Sequence, residues 1–236
     1  MIASGSSGNC YRVSNGKTDI LLDAGISAGK ISKGIGFGLS KVDGCLVTHE
    51  HGDHCSAANI LGDRYGIPVY LSKGTIEGSQ DKPWAVTTQM AKVIEALKSF
   101  SVGTFVILPF DIEHDAVEPL GFLIKSTVTG EKLLYFTDTY YVRYAFSGVT
   151  HLMAECNYIS DILKERIANK TIAKALAQRI LTSHMSLEHL LDFLEALDKS
   201  RLRQIYLIHI SKDNGSIEDM LRAVRAKTGV EVYAFE

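Results

Sequence analysis

The sequence predicts an α/β protein built as a four-layer αβ/βα sandwich, two β sheets packed together with helices outside. Three observations predict it. Short apolar runs alternate with segments of helical spacing in both halves of the chain, and the runs end on polar side chains. No stretch rich in Gly, Ser or Pro forms a linker, and only four prolines occur in 236 residues. A single domain over 1–236 is therefore expected, with two βα halves at roughly 1–115 and 116–236.

The chain opens in β structure. Residues 10–14 and 17–22 flank Asn15-Gly16, a pair that accepts the positive φ angles of a tight hairpin turn. The apolar run 20–22 ends at Asp23, and a second run at 45–47 ends at Thr48-His49, so both strands deliver polar side chains at their carboxyl ends. Residues 56–65 read as a helix closed by Gly66, followed by a strand at 68–71. Gly74, Gly78 and Pro83 break the next stretch, whereas 87–100 carries Met90, Val93, Ile94 and Leu97 at helical spacing and is expected to be helical.

Strands follow at 105–108, 121–127 and 132–137, the last two joined by a turn at Thr129-Gly130. Helical patterns cover 162–181 and 187–197, the second with Ser186 as its N-cap and Leu187, Leu190, Leu191, Leu194 and Leu197 on one stripe. A strand at 204–210, a helix at 217–227 and a strand at 230–235 complete the chain.

Composition narrows the function. Hydrophobic residues make up 46% and charged residues 22%, which excludes a wholly disordered chain. A net charge of -2 excludes a protein that coats DNA through a global basic field, but permits an enzyme with a local positive groove. Lys164, Arg166, Lys170, Lys174 and Arg179 offer such a face, which could run along a nucleic-acid backbone. Four scattered cysteines without a C-x-x-C pair, no secretory leader and no long apolar run point to a soluble cytoplasmic protein with reduced thiols and no membrane partner.

The chemistry concentrates in Thr48-His49-Glu50-His51-Gly52-Asp53-His54, between a strand end and a helix start. Three imidazoles and a carboxylate are borderline ligands that suit zinc, and manganese or iron less exclusively. His49 and His51 alternate along extended backbone and point to one side. Asp53 and His54 lie beyond the bend and can reach a second ion, so the spacing suggests two metals. A helical H-E-x-x-H site is set aside because His51 and His54 are three apart and separated by Gly52.

With Asp23, His114, Asp138 in Phe136-Thr137-Asp138-Thr139 and His209 in Leu207-Ile208-His209-Ile210, the chain resembles the metallo-β-lactamase superfamily over nearly its whole length. The resemblance implies one ion on His49, His51 and His114, a second on Asp53, His54 and His209, and Asp138 bridging them. The strings at residues 3–9, 114–119, 155–157, 183–186 and 209–214 resemble the YycJ/WalJ branch, related to ribonucleases J and Z and assigned to exonuclease work on DNA. There is no long insertion for a β-CASP domain. Tyr158 and Leu187 depart from the branch pattern and put substrate choice in doubt, since their strings should line the cleft.

Two divalent ions can hold a bridging hydroxide and neutralise charge on a phosphoryl transition state. A dinuclear phosphodiester hydrolase is expected, foremost a nuclease on DNA or RNA, with a cyclic-nucleotide phosphodiesterase as the alternative. Two Zn2+ ions are the expected cofactors and Mn2+ the alternative. Asp53, His184 and Glu155 are the catalytic candidates. His184 contacts the scissile phosphate or protonates the leaving oxygen, and Glu155 orients it by resemblance to the acidic motif of that branch. Asp23 orients an imidazole or a nearby loop, residues 4–9 form a tight turn near the metals, and His151 and His189 are bystanders. A binding module that keeps the fold without turnover would be favoured by a lost metal ligand, and none is lost. A homodimer is left open.

Overall fold

A computed structural model describes residues 1–235, which divide into two compact units: Met1–Asp111 with Ala116–Gly130, and Ile112–Asp115 with Glu131–Glu236, of which the last residue is not described. In the first unit β1 (Tyr11–Ser14) and β2 (Asp19–Leu22) form the expected antiparallel hairpin, with Gly16 at φ 83° and the Asn15 side chain accepting from the amides of Lys17 and Thr18. Helix α1 (Ala28–Gly34) is capped by Ser27. Strand β3 (Gly44–Leu46), short helices α2 (Gly52–Cys55) and α3 (Ala58–Tyr65), and β4 (Val69–Leu71) follow, α3 closing on Gly66 in the left-handed conformation.

Helix α4 (Lys73–Ser79) and strand β5 (Ala91–Val93) correct the reading of 72–100. The glycines do not prevent α4, because the Ser72 side chain accepts from Thr75 N and the Glu118 carboxylate accepts from Gly74 N at its positive end. The apolar spacing in 87–100 does not form one helical face. Ile94 is buried while Val93 and Leu97 are 57% and 58% exposed, and β5 pairs in parallel with β4 as an edge strand. Cross-strand hydrogen bonding outweighs helical periodicity there.

The five-stranded sheet therefore runs β1-β2-β3-β4-β5, parallel beyond the first pair. Its core holds Leu21, Cys45, Val47, Leu61, Val69 and Leu71, all inaccessible to solvent, so β2 and β3 read as near-continuous apolar runs. An antiparallel meander of β6 (Phe100–Val102), β7 (Phe105–Asp111) and β8 (Leu120–Ser126) completes the first unit.

The second unit is a parallel sheet in the order β12-β11-β10-β9, from β9 (Lys132–Phe136), β10 (His151–Glu155), β11 (Gln204–Ile208) and β12 (Glu231–Ala234). The expected helix at 162–181 is instead two, α5 (Ser160–Ala168) and α6 (Lys174–Ser183). Thr171 closes α5 by giving both its amide and its hydroxyl to Arg166 O, and Lys170 turns the chain at φ 56°. Helix α7 (Leu187–Ala196) has Ser186 as N-cap and buries Leu187, Leu190 and Leu194, as the stripe requires. Helix α8 (Ile217–Thr228) precedes β12. Among the described residues no helix is long and apolar enough to cross a membrane.

Candidate metal centre

Polar residues collect at the carboxyl ends of strands in both units. Asp23 follows β2, Asp138 lies just beyond β9, Glu155 ends β10 and His209 follows β11. In the second unit β9, β10 and β11 are parallel neighbours, so the last three come side by side. Asp23, Asp138 and His209 all have positive φ, at 60°, 50° and 53°. Left-handed backbone at non-glycine residues costs on the order of 1 kcal/mol or more each and persists where surroundings dictate it, typically at functional sites.

In the first unit the Asp23 carboxylate, fully buried, accepts from Thr48 N at 2.8 Å, Thr48 Oγ at 3.0 Å and His54 Nδ1 at 2.9 Å. The network sets both tautomers. With its proton given to Asp23, the Thr48 hydroxyl is left to accept from His49 Nδ1 at 2.9 Å. His54 and His49 thus keep their protons on Nδ1 and present Nε2 lone pairs. Asn9 agrees, since its side-chain amide donates to His54 Nε2 at 3.1 Å. His51 brings Nδ1 to within 3.0 Å of His49 Nε2, and Asp53 Oδ2 lies 3.5 Å from His54 Nε2. Lone pairs of neutral imidazoles beside a carboxylate are a donor set that a divalent cation fits.

Glycines let the backbones behind these side chains approach. Gly25 lies so close to Asp53 that a Cβ would sit 1.6 Å from its carbonyl oxygen. Gly25→Ala forces two backbones apart and should therefore cost about 3 kcal/mol or more of stability, read as a lowered Tm, together with reduced metal uptake.

The second unit gathers its own group. One ligand atom each of Asp138, Glu155, His184 and His209 lies within 4.8 Å of the others. The Glu155 carboxylate, fully buried, accepts from four donors: His184 Nδ1 at 2.7 Å and His209 Nδ1 at 3.0 Å on Oε1, and the amides of Thr139 and Met185 on Oε2, each at 3.0 Å. Glu155 is thereby an anchor that turns both imidazoles so that Nε2 faces away from it. Burial opposes charge on either partner. The pairing wins, so the His184 pKa is raised and the Glu155 pKa lowered.

His114 donates Nδ1–H to Ser183 O at 3.1 Å, and its Nε2 lies 3.1 Å from Asp115 Oδ1 and 3.7 Å from Asp138 Oδ2. A lone pair facing two carboxylates needs a cation or a second proton. Arg179 holds Asp115 from α6 at 2.8 Å, so α6 contributes Arg179, Ser183 O and, at its C-cap, His184 to this corner.

Some residues lie elsewhere than expected. Tyr158 is buried against Leu163, Ala177 and Ile180, and Leu187 is 7% exposed in the first turn of α7, so both pack in the interior and do not line a cleft. The basic face is interrupted: Lys164 pairs with Asp161, Arg166 with Asn214 and Asp213, and Arg179 with Asp115. Glu50, inside the histidine string, accepts from Val117 N and acts as a loop anchor. The positioning roles of Asn9, Thr48 and Asn157, whose side chain donates to His209 O at 2.8 Å, escape the sequence reading. Their only signal is membership of the strings at 3–9, 48–54 and 155–157.

Residues 3–202 match the Metallo-beta-lactamase superfamily. The chain belongs to the metallo-β-lactamase superfamily. Within that superfamily it is 31% identical over 228 residues to the exodeoxyribonuclease WalJ of Streptococcus pneumoniae, spanning 91% of this chain and 81% of that protein. To the exodeoxyribonuclease YycJ of Bacillus anthracis it is 28% identical over 224 residues, or 92% and 84% of the two chains. The metallo-β-lactamase fold protein YhfI from Bacillus subtilis superposes with a TM-score of 0.74 at 18% identity, covering 100% of this chain and 95% of that one. The protein is thus a superfamily hydrolase of the expected α/β class with the metallo-β-lactamase fold, and it carries His/Asp groups able to hold metal ions.

The Asp23 carboxylate is the acceptor that holds His54 Nδ1 and Thr48 in this arrangement. Asp23→Asn should lower zinc affinity about 10–100-fold with the fold intact, measured by competition with a chromogenic chelator. Unchanged affinity would show that the tautomer network does not tune the ligands.

Proposed function

We propose that this protein is a metal-dependent exodeoxyribonuclease of the WalJ/YycJ kind, hydrolysing phosphodiesters with two divalent ions, Zn2+ foremost and Mn2+ as the alternative. The observation that carries the reading is the Glu155–His184 pair beside Asp138 and His209, which puts a proton donor among candidate metal ligands. The names of the two relatives support DNA as the substrate.

The ligand assignment follows the motif order: His49, His51 and His114 for one ion, Asp53, His54 and His209 for the other, and Asp138 shared. When bound, such ions polarise a phosphate oxygen and bring the pKa of water towards neutrality. The chain's own residues do the rest. Asp23 and Thr48 keep His54 and His49 in the ligating tautomer, and Glu155 does the same for His209. Glu155 also keeps a proton on His184, whose side chain is 14% exposed, so that Nε2–H can reach a phosphate oxygen or protonate the departing sugar oxygen. The two units together are read as one catalytic domain in the cytoplasm.

The test is a product assay of zinc- or manganese-loaded protein on 5′-phosphorylated linear DNA, single-stranded RNA and cyclic mono- and dinucleotides, with Asp53→Ala as control. Metal-dependent shortening of DNA is expected. Turnover of cyclic nucleotides alone would replace the nuclease reading.

A further inference from the structure

Within the second unit the segment after Asp138 carries four aromatic rings in seven residues, Tyr140, Tyr141, Tyr144 and Phe146, without helix or strand of its own. These rings and the α7 residues Asp192 and Phe193 line a cavity of about 560 Å³, a size that suits a small ligand or one nucleotide unit. Tyr141 is 57% exposed, and the Tyr144 and Phe146 rings lie 6.4 Å apart at 58°. One exposed and three half-buried aromatic rings around a cavity whose wall also carries Asp192, Arg143 and His189 suit a flat ligand with polar edges, N–H donors among them.

The cavity is tied to the hydrolytic residues by short chain connections. Thr139, between Asp138 and Tyr140, gives its amide to Glu155, and its hydroxyl donates to Tyr141 O at 2.8 Å. On the other wall Met185, directly after His184, also gives its amide to Glu155. One buried carboxylate therefore fixes His184, His209 and both walls of the cavity. Tyr140 is two residues from Asp138, about 7 Å of chain at most.

We propose that this cavity receives a nucleobase of the DNA strand, from a nucleotide flanking the scissile phosphodiester. The proposal rests on the nuclease reading above. Base stacking on tyrosine and phenylalanine tolerates any sequence because every base has a π-face. The Asp192 carboxylate, exposed at the wall, accepts from an exocyclic amino group or ring N–H. Such a grip holds the terminal region of a strand by its base as well as its phosphates, which suits cutting from an end.

The test measures kcat/KM for zinc-loaded full-length protein on single-stranded oligonucleotides that differ only in an abasic site, placed at the terminal or the penultimate nucleotide. Losing the base at one of these positions should lower the wild-type value roughly ten-fold or more. Tyr141→Ala and Phe146→Ala should lower it on intact DNA, and the two losses should not add on the abasic strand. Equal rates on intact and abasic strands, or fully additive losses, overturn the proposal, as does a Tyr141→Ala effect that acts through a change of oligomeric state in gel filtration. If the wild type cuts no DNA the nuclease reading fails, and the cavity is judged by saturation-transfer NMR of the zinc-loaded protein with dAMP against 2-deoxyribose 5-phosphate. Base contacts that vanish in Tyr141→Ala keep the base site, and indistinguishable signals reject it.

Discussion

Asp53→Ala is expected to reduce metal-dependent turnover on the order of 10³-fold or more, because polarisation by a bound ion supplies several kcal/mol of a barrier in which about 1.4 kcal/mol is ten-fold. Its side chain is 27% exposed, so the substitution should leave the fold and Tm close to wild type. His54→Ala should be as damaging to turnover and more damaging to stability. His54 is fully buried, and its removal takes partners from Asp23 Oδ2 and the Asn9 amide. Metal content by plasma mass spectrometry should fall in both variants. Rates near wild type in either would sink the two-ion account.

His184→Ala is expected to lower kcat about 10²–10⁴-fold, the usual contribution of a positioned acid or base, while metal content stays near normal. Loss of metal would reassign His184 as a ligand, a role its place within 4.8 Å of Asp138 and His209 makes worth testing. The pH profile separates the two. The folded pKa of His184 is raised, because the Glu155 carboxylate outweighs the effect of burial, so the protonated form persists above the ordinary histidine range and is lost as pH rises through the raised value. An acid role therefore predicts a fall in kcat on the alkaline side in wild type, and its disappearance in His184→Ala.

The histidine string at 49–54 stands out because metal ligation restricts residue type so strongly, whereas His114, Asp138 and His209 are joined to it only by the resemblance to the superfamily's motif order. The hairpin at Asn15-Gly16 and the Ser186-capped helix were readable because local rules decide them. Misreadings arose where non-local forces win. The stripe from Met90 to Leu97 has helical spacing, yet β4 offers a strand edge and pulls residues 91–93 into the sheet. Helix α4 survives two glycines because Glu118, distant in sequence, holds its first turn. Polar residues with no distinctive chemistry of their own, Asn9, Thr48 and Asn157, become functional only by what the fold sets them against. Tyr158 is the converse, an aromatic at a position expected in a cleft that the fold uses as filling between α5 and α6.

The four cysteines carry a separate consequence. Cys10, Cys45, Cys55 and Cys156 are all buried and unbridged, and burial pushes their pKa values up, to about 12 at Cys55. No thiolate is on offer to an electrophile while the chain is closed, so alkylation waits on an opening event and its rate reports how often that event occurs. Three of these thiols lie in the first unit and Cys156 in the second, so mass-resolved labelling over time gives each unit an opening clock of its own, with no probe to engineer. Coincident clocks would mean that the chain opens as one cooperative body, and separate clocks would reveal which half yields first.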